Sequence, residues 1–287
     1  MNYYELKFCL KSFNKLKVEK IGRSEDDRNI YSLSAFFGEK RDWVIFQGAI
    51  HAREHLSTDL IIALAKKIEY GFEDFKKNTN FPNICFLPMI NPDGVQIAHY
   101  GRKIIKNRHL NNGLKKIIAK YNYKMYKSNA KGVDLNNNFD AMWDRFQNSN
   151  NPSTHGYIGK FVFSERETRA LARITLKKEP KLTISYHLKG EEIYYGFYQS
   201  KREFDRDKKI AEIVSEITGY KIKSTQNVSS GGYKDWCVYR LHIPSLTIEV
   251  GRDKIGHPVP RSEIYDIIAK NIGIIDKLCD ILKIIKG

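Results

Sequence analysis

Apolar positions in this chain fall into short continuous runs that alternate with stretches of helical period. Residues 42–50 (Asp-Trp-Val-Ile-Phe-Gln-Gly-Ala-Ile) make a compact run suited to a buried strand. From Ser57, which reads as an N-cap, Leu60, Ile61, Leu64, Ala65 and Ile68 recur every three or four residues and predict one apolar helix face. Residues 83–90 read as another strand despite Pro88, closing in the turn Asn91-Pro92-Asp93-Gly94. Ser164 with Glu167 three residues later has capping-box spacing and predicts a helix to about residue 178. Leu182 to Tyr186 and Ser245 to Val250 are strand-like, 202–218 is helical, and 262–285 predicts an amphipathic C-terminal helix. The segment 101–131, rich in Lys, Asn and Arg, reads as a long loop with a short helix.

Strands alternating with helices predict an α/β fold whose mostly parallel sheet is covered on both faces. No internal repeat or Pro/Ser-rich linker divides the chain, so 1–287 is expected to be a single domain. A hydrophobic fraction of 41% with 8 prolines is a globular composition. No run approaches about 18 apolar residues, so no membrane-spanning helix is expected. The first residues, Met1-Asn-Tyr-Tyr-Glu-Leu-Lys, lack the basic-then-apolar pattern of a secretory signal, which points to the cytoplasm. Cys9, Cys85, Cys237 and Cys279 are far apart without CxxC spacing and read as reduced thiols. A net charge of +16 invites a nucleic-acid reading, but the lysines are dispersed and no DNA- or RNA-binding motif accompanies them. Nucleic acid is therefore not expected as a partner, whereas a positive field would favour an anionic substrate.

The chemistry-bearing residues stand at predicted strand ends. His51-Ala-Arg-Glu54 directly follows the 42–50 strand, and an imidazole and a carboxylate three residues apart can converge on one cation where the chain turns. Alone, such a pair also suits an ordinary surface turn. His187 follows the 182–186 strand and offers a third ligand, while Glu249 lies near the end of the 245–250 strand. A catalytic zinc takes three N/O ligands and keeps a position for water. Open α/β sheets bind ligands beyond the carboxyl ends of their strands, where these segments all end. The remaining histidines lack this context, although His55, next to Glu54, could reach the same pocket.

The ordered set of motifs resembles the M14 (carboxypeptidase A-like) zinc carboxypeptidases over nearly the whole length. It comprises His51-Ala-Arg-Glu54, Asn91-Pro-Asp-Gly94, Gly132-Val-Asp-Leu-Asn-Asn-Asn-Phe139, Phe163-Ser-Glu-Arg-Glu-Thr168, Ser185-Tyr-His187, Ser230-Gly-Gly-Tyr-Lys-Asp-Trp236 and Thr247-Ile-Glu-Val250. The resemblance implies a mixed, mainly parallel sheet of about eight strands between helices. It also implies one zinc per chain on His51, Glu54 and His187, Glu249 as general base, and Asp134 orienting His51.

Departures from the family pattern bear on substrate. Where ordinary members place an arginine that forks onto a terminal α-carboxylate, this chain has Asn137, between Asn136 and Asn138. The oxyanion-stabilising arginine falls on Lys127, which keeps the charge and loses the fork. The tyrosine that closes over substrate falls near Asn227, with Tyr233 as a substitute. Arg53 and Asn136 are implied to position substrate polar groups. The combination resembles the γ-D-glutamyl-(L)-meso-diaminopimelate peptidases that cut peptidoglycan stem peptides, and Lys234 falls at the base of the side-chain pocket, where it would favour an anionic group. The alternatives are an ordinary metallocarboxypeptidase acting on peptide C-termini and a zinc N-acyl amino acid deacylase.

Overall fold

The computed structural model describes residues 1–119, 121–145, 149–225 and 231–286. Its strands are β1 (Lys17–Arg23), β2 (Asn29–Ala35), β3 (Trp43–Gly48), β4 (Asn83–Leu87), β5 (Leu182–Leu188), β6 (Glu192–Tyr195), β7 (Lys221–Ser224) and β8 (Ser245–Val250). Its helices are α1 (Tyr3–Cys9), α2 (Leu56–Tyr70), α3 (Phe72–Lys77), α4 (Pro92–Tyr100), α5 (Arg108–Ile118), α6 (Arg166–Lys178), α7 (Lys201–Thr218), α8 (Tyr233–Leu241), α9 (Ile264–Asn271) and α10 (Leu278–Lys286). The strands form one mixed sheet in the order β1-β2-β4-β3-β5-β8-β6-β7. The central run β4-β3-β5-β8 is parallel, whereas β2 joins β4, and β6 joins β8, in antiparallel fashion.

Alternation along the central strands distributes side chains between two cores. Val44, Phe46, Ile184, Tyr186 and Ile248 enter the core that also contains residues of α1, α2, α7, α9 and α10. Ile45, Cys85 and Leu87 enter the core shared with α6 and α8. A smaller cluster built around Ile97, Leu114 and Tyr126 lies under α5 and reaches Ala52, beside His51. Among the described residues no helix is long and apolar enough to cross a membrane.

Several local expectations change. Ser57 is not the N-cap of α2; its hydroxyl donates to Glu54 O at 2.7 Å and accepts from Ala49 N at 2.8 Å, tying the end of β3 to the start of the helix. Ser164 and Glu167 form no capping box, because α6 is capped at Glu165 and Ser164 Oγ donates to Glu165 Oε1 at 2.8 Å. The predicted 262–285 helix is divided, with a 3-10 segment at Ile272–Lys277 separating α9 from α10. The turn at Asn91–Gly94 is the first turn of α4, with Asn91 Oδ1 accepting from Gly94 N at 2.9 Å. Asn91 Nδ2 donates to Ile50 O and Ser128 O, both at 3.1 Å, and a Cβ on Gly94 would sit 2.5 Å from Ser128 O. The Asn-Pro-Asp-Gly motif thus fastens the backbone leading to His51 against the segment carrying Lys127.

Candidate metal centre and active site

His51 and Glu54 occupy the link between β3 and α2, and His187 is the penultimate residue of β5. All three are buried. His51 Nδ1 lies 2.9 Å from Glu54 Oε1 and 3.0 Å from His187 Nδ1, and His187 Nδ1 lies 3.1 Å from Glu54 Oε2. Glu54 Oε2 also accepts from Leu188 N at 3.3 Å. Burial works against the charge on Glu54, but His51 and then His187 hold its carboxyl well below the usual range. Two imidazole Nδ1 atoms in contact can share one proton at most, whereas a cation between them engages both lone pairs and the carboxylate. The donor atoms lie within 4.8 Å of one another, and this two-imidazole, one-carboxylate set suits zinc.

A second acidic group, Glu25, Glu165 and Glu167, also has oxygens within 4.8 Å. It contains no imidazole, and Lys131 Nζ already lies 2.9 Å from Glu25 Oε2 and 3.6 Å from Glu165 Oε2. Burial, followed by the charges of Asp93, Glu25 and Glu165, pushes the Glu167 carboxyl well above its ordinary value. That charge is answered from within the protein.

Zinc carboxypeptidase, peptidase family M14, is the family whose model matches residues 10–272. The chain belongs to the M14 zinc carboxypeptidases. Gamma-D-glutamyl-L-diamino acid endopeptidase 1 of Lysinibacillus sphaericus is 30% identical over 253 residues, covering 83% of this chain and 60% of that protein. The chain therefore spans less than two thirds of that relative's length. In fold it is similar to bovine thrombin-activatable fibrinolysis inhibitor in complex with tick carboxypeptidase inhibitor, with TM-score 0.75, 21% identity, and coverage of 98% of this chain and 95% of that one. Murein-tripeptide amidase MpaA from Escherichia coli O157 aligns with TM-score 0.59 and 18% identity over 93% of each chain. Zinc is the metal of the M14 family, and the His-Glu-His group fits it.

The neighbouring strand brings Glu249 beside this group. Glu249 on β8 is the direct register partner of His187 on β5, so the ladder places the carboxylate beside the metal-binding face. Its Oε2 is buried without a hydrogen-bond partner. Burial pushes the carboxyl up to about 7, with Glu54 adding to that effect and His187 and Lys127 opposing it. Asp134 faces His51 from the other side, with Oδ1 3.4 Å from His51 Nε2 and Oδ2 accepting from Gly156 N at 3.0 Å. Burial opposes its ionisation, yet Lys127, His51 and the Gly156 amide hold it well below the usual carboxylate range. Lys127 Nζ stands 3.4 Å from Asp134 Oδ2, with a quarter of its side chain exposed. Burial lowers its pKa, but Asp134 and Glu54 together raise it further, so the lysine is a cation at the mouth of the site.

The residues expected to meet substrate fare unevenly. Arg53 is half-buried between the two metal-binding residues, and its Nε is buried without a partner. Asn136 Oδ1 accepts from Tyr233 N at 3.2 Å at the start of α8. Asn137 is buried in the adjoining 3-10 turn, 6% exposed. Tyr233 does not take the place of the closing tyrosine. Its ring is fully buried between Phe139 and Trp236, and its hydroxyl meets Thr175 Oγ1 at 2.8 Å. Asn227 lies outside the described residues. Lys234 is also buried, and its Nζ donates to Gly196 O at 2.9 Å and Thr225 Oγ1 at 2.8 Å while pairing with Asp235. These three groups engage the ammonium, so direct capture of a substrate anion would require one of them to give way.

His55 turns away from the metal-binding group, its ring 4.2 Å from that of His99, and burial drops its pKa to about 3. His257 is a residue that strand-end reasoning missed. It lies on the connection after β8, its Nδ1 buried without a partner, and burial followed by the charge of Arg53 brings its pKa down to about 4. Its only sequence signal was a histidine following a strand that ends in a candidate base.

Proposed function

We propose that this M14 chain is a zinc-dependent hydrolase that cuts a peptide bond in peptidoglycan stem peptides at a γ-D-glutamyl–diaminopimelate linkage. The observation carrying the hydrolytic part is the registered pair His187 and Glu249, which sets a carboxylate with an unpartnered oxygen beside the His-Glu-His group. Zinc held by His51, Glu54 and His187 supplies Lewis acidity toward a carbonyl oxygen and toward water. Glu249 accepts the proton of the attacking water at Oε2 and returns it to the leaving amine, a role suited to a carboxyl whose burial has raised its proton affinity. Lys127 presents its ammonium to the developing oxyanion, a contribution of a few kcal/mol in comparable sites. Asp134 fixes the tautomer and the plane of the His51 ring. Arg53 and Asn136 position polar groups of the substrate.

Two observations support the substrate. The relative that is 30% identical carries the name of a γ-D-glutamyl-L-diamino acid endopeptidase. Asn137, a neutral amide, stands where ordinary members fork an arginine onto a C-terminal carboxylate. The test incubates zinc-loaded protein with L-Ala-γ-D-Glu-meso-diaminopimelate and, separately, with a hippuryl-type C-terminal substrate. Cleavage of the first alone is the expected result. Cleavage of the second alone would replace the stem-peptide reading with that of an ordinary metallocarboxypeptidase, and cleavage of neither by zinc-loaded protein would remove the peptidase reading itself.

A further inference from the structure

Away from the metal-binding group, α5 forms one side of a cavity of about 590 Å³, within the range of small-molecule sites. Its lining includes none of His51, Glu54, His187 or Glu249. The wall is apolar, contributed by Leu110, Ile117, Val133, Pro152, Tyr157 and Phe161. The charged lining is one-sided. Lys116, Lys131 and Lys160, with His109 beside them, face a single carboxylate, Glu165, which already accepts from Ser164 Oγ and Asn129 Nδ2, both at 2.8 Å, and lies 3.6 Å from Lys131 Nζ. Lys116 and Lys160 are exposed and have no hydrogen-bond or ion-pair partner among the described residues.

The helix itself adds an independent observation. Gly113 stands in the middle of α5, where glycine costs about 1 kcal/mol relative to alanine. A Cβ there would meet no heavy atom within 4 Å, so packing does not require the glycine. Its missing side chain instead leaves the cavity open, because Gly113 is itself part of the lining.

We infer that this cavity is a second ligand site, separate from the metal centre, which takes an amphiphilic anion: an apolar body on the Val133–Phe161 wall and one acidic group among Lys116, Lys160 and His109. The complementarity is that of an apolar pocket whose few polar groups carry one sign of charge.

The probe is 8-anilinonaphthalene-1-sulfonate, titrated by fluorescence into the zinc-loaded chain 1–287, with decanoate and decyltrimethylammonium as competitors. The expected result is one saturable site per chain, from which decanoate displaces the probe at least about tenfold better than the cation does. Gly113→Phe fills the open position and weakens the probe by about tenfold or more, with the circular dichroism spectrum and the zinc content unchanged. The double variant Lys116→Glu, Lys160→Glu, altered at two exposed residues, abolishes the preference for decanoate. A Gly113→Phe protein that titrates like the parent, equal competition by the two surfactants, or the absence of a saturable site would each overturn the inference. If Gly113→Phe loses the fold, the surfactant preference of the lysine double variant decides alone.

Discussion

The parallel strands at the centre of the sheet and the strands at its edges use the same backbone chemistry to different ends. β4 and β5 are buried at every residue, and β3 at every residue but its first, so both faces of these strands lie in a core. At the edges, β1 has no fully buried residue and β7 has none either. The residues proposed for chemistry gather at the carboxyl ends of β3, β5 and β8, where three neighbouring parallel strands finish together. A rigid, doubly covered centre holds reacting groups to the tolerance that catalysis demands. The edges widen the platform and carry the connections that meet solvent.

The sharpest way to break this contrast is at Glu249. Glu249→Gln should keep stoichiometric zinc while lowering kcat by about 10²–10⁴-fold, the usual share of a general base. Metal analysis beside single-turnover kinetics checks it, and near-parental turnover would remove Glu249 from the reaction. Next comes packing. Ile184→Ala, in the middle of β5, should cost about 2–5 kcal/mol of stability, whereas Ile222→Ala, at the half-buried residue of the otherwise exposed β7, should cost about 1 kcal/mol or less. Denaturant titrations of the pair measure the gap, and equal losses would mean that the centre is no more tightly held than the edge.

Asp134→Asn tests the support behind His51 and should weaken zinc affinity or activity by about 10–100-fold. Zinc titration against a competing chelator reads it directly. The smallest effect lies at Glu167, whose folded pKa is raised by burial and by neighbouring carboxylates. Below the ordinary carboxyl value both folded and unfolded chains hold this proton, so its burial is then without electrostatic cost. As pH rises past that value the unfolded chain releases the proton first, and stability falls until the folded pKa is reached. Glu167→Gln should therefore gain Tm relative to the parent at pH 8 and not at pH 4. The same Tm difference at both pH values would show that folding leaves the Glu167 pKa unshifted.

The same contrast explains what could be read from the chain. β3 and β4 announce themselves as near-continuous apolar runs, because a strand covered on both faces has little polar side to interrupt it, whereas β5 and β8 alternate apolar residues with polar ones and show a strand period instead. β1, with the sequence Lys-Val-Glu-Lys-Ile-Gly-Arg, buries no residue fully and carries no such signature. α8 was hidden for a different reason. Its first turn begins at Tyr233, and Gly232 before it is capped by Asp235 Oδ2 accepting from Gly232 N at 3.0 Å rather than by a Ser or Thr side chain. Metal-binding candidates at strand ends were legible from residue type and position. The fates of Tyr233 and Lys234 were not, because their partners, Thr175, Gly196 and Thr225, lie far away in sequence and meet them only through the fold.

The ladder that pairs His187 with Glu249 works as a ruler. The interval between the proposed metal ligand and its partner carboxylate is set by backbone hydrogen bonds that no connecting loop supplies. A one-residue slip between the two strands would send one side chain to the opposite face. Insertions within β5 or β8 are therefore forbidden, while those beyond Leu188 or Val250 leave the interval untouched. Loops of new length and composition can thus be spliced in beyond the strand ends with the His187–Glu249 spacing carried over unaltered.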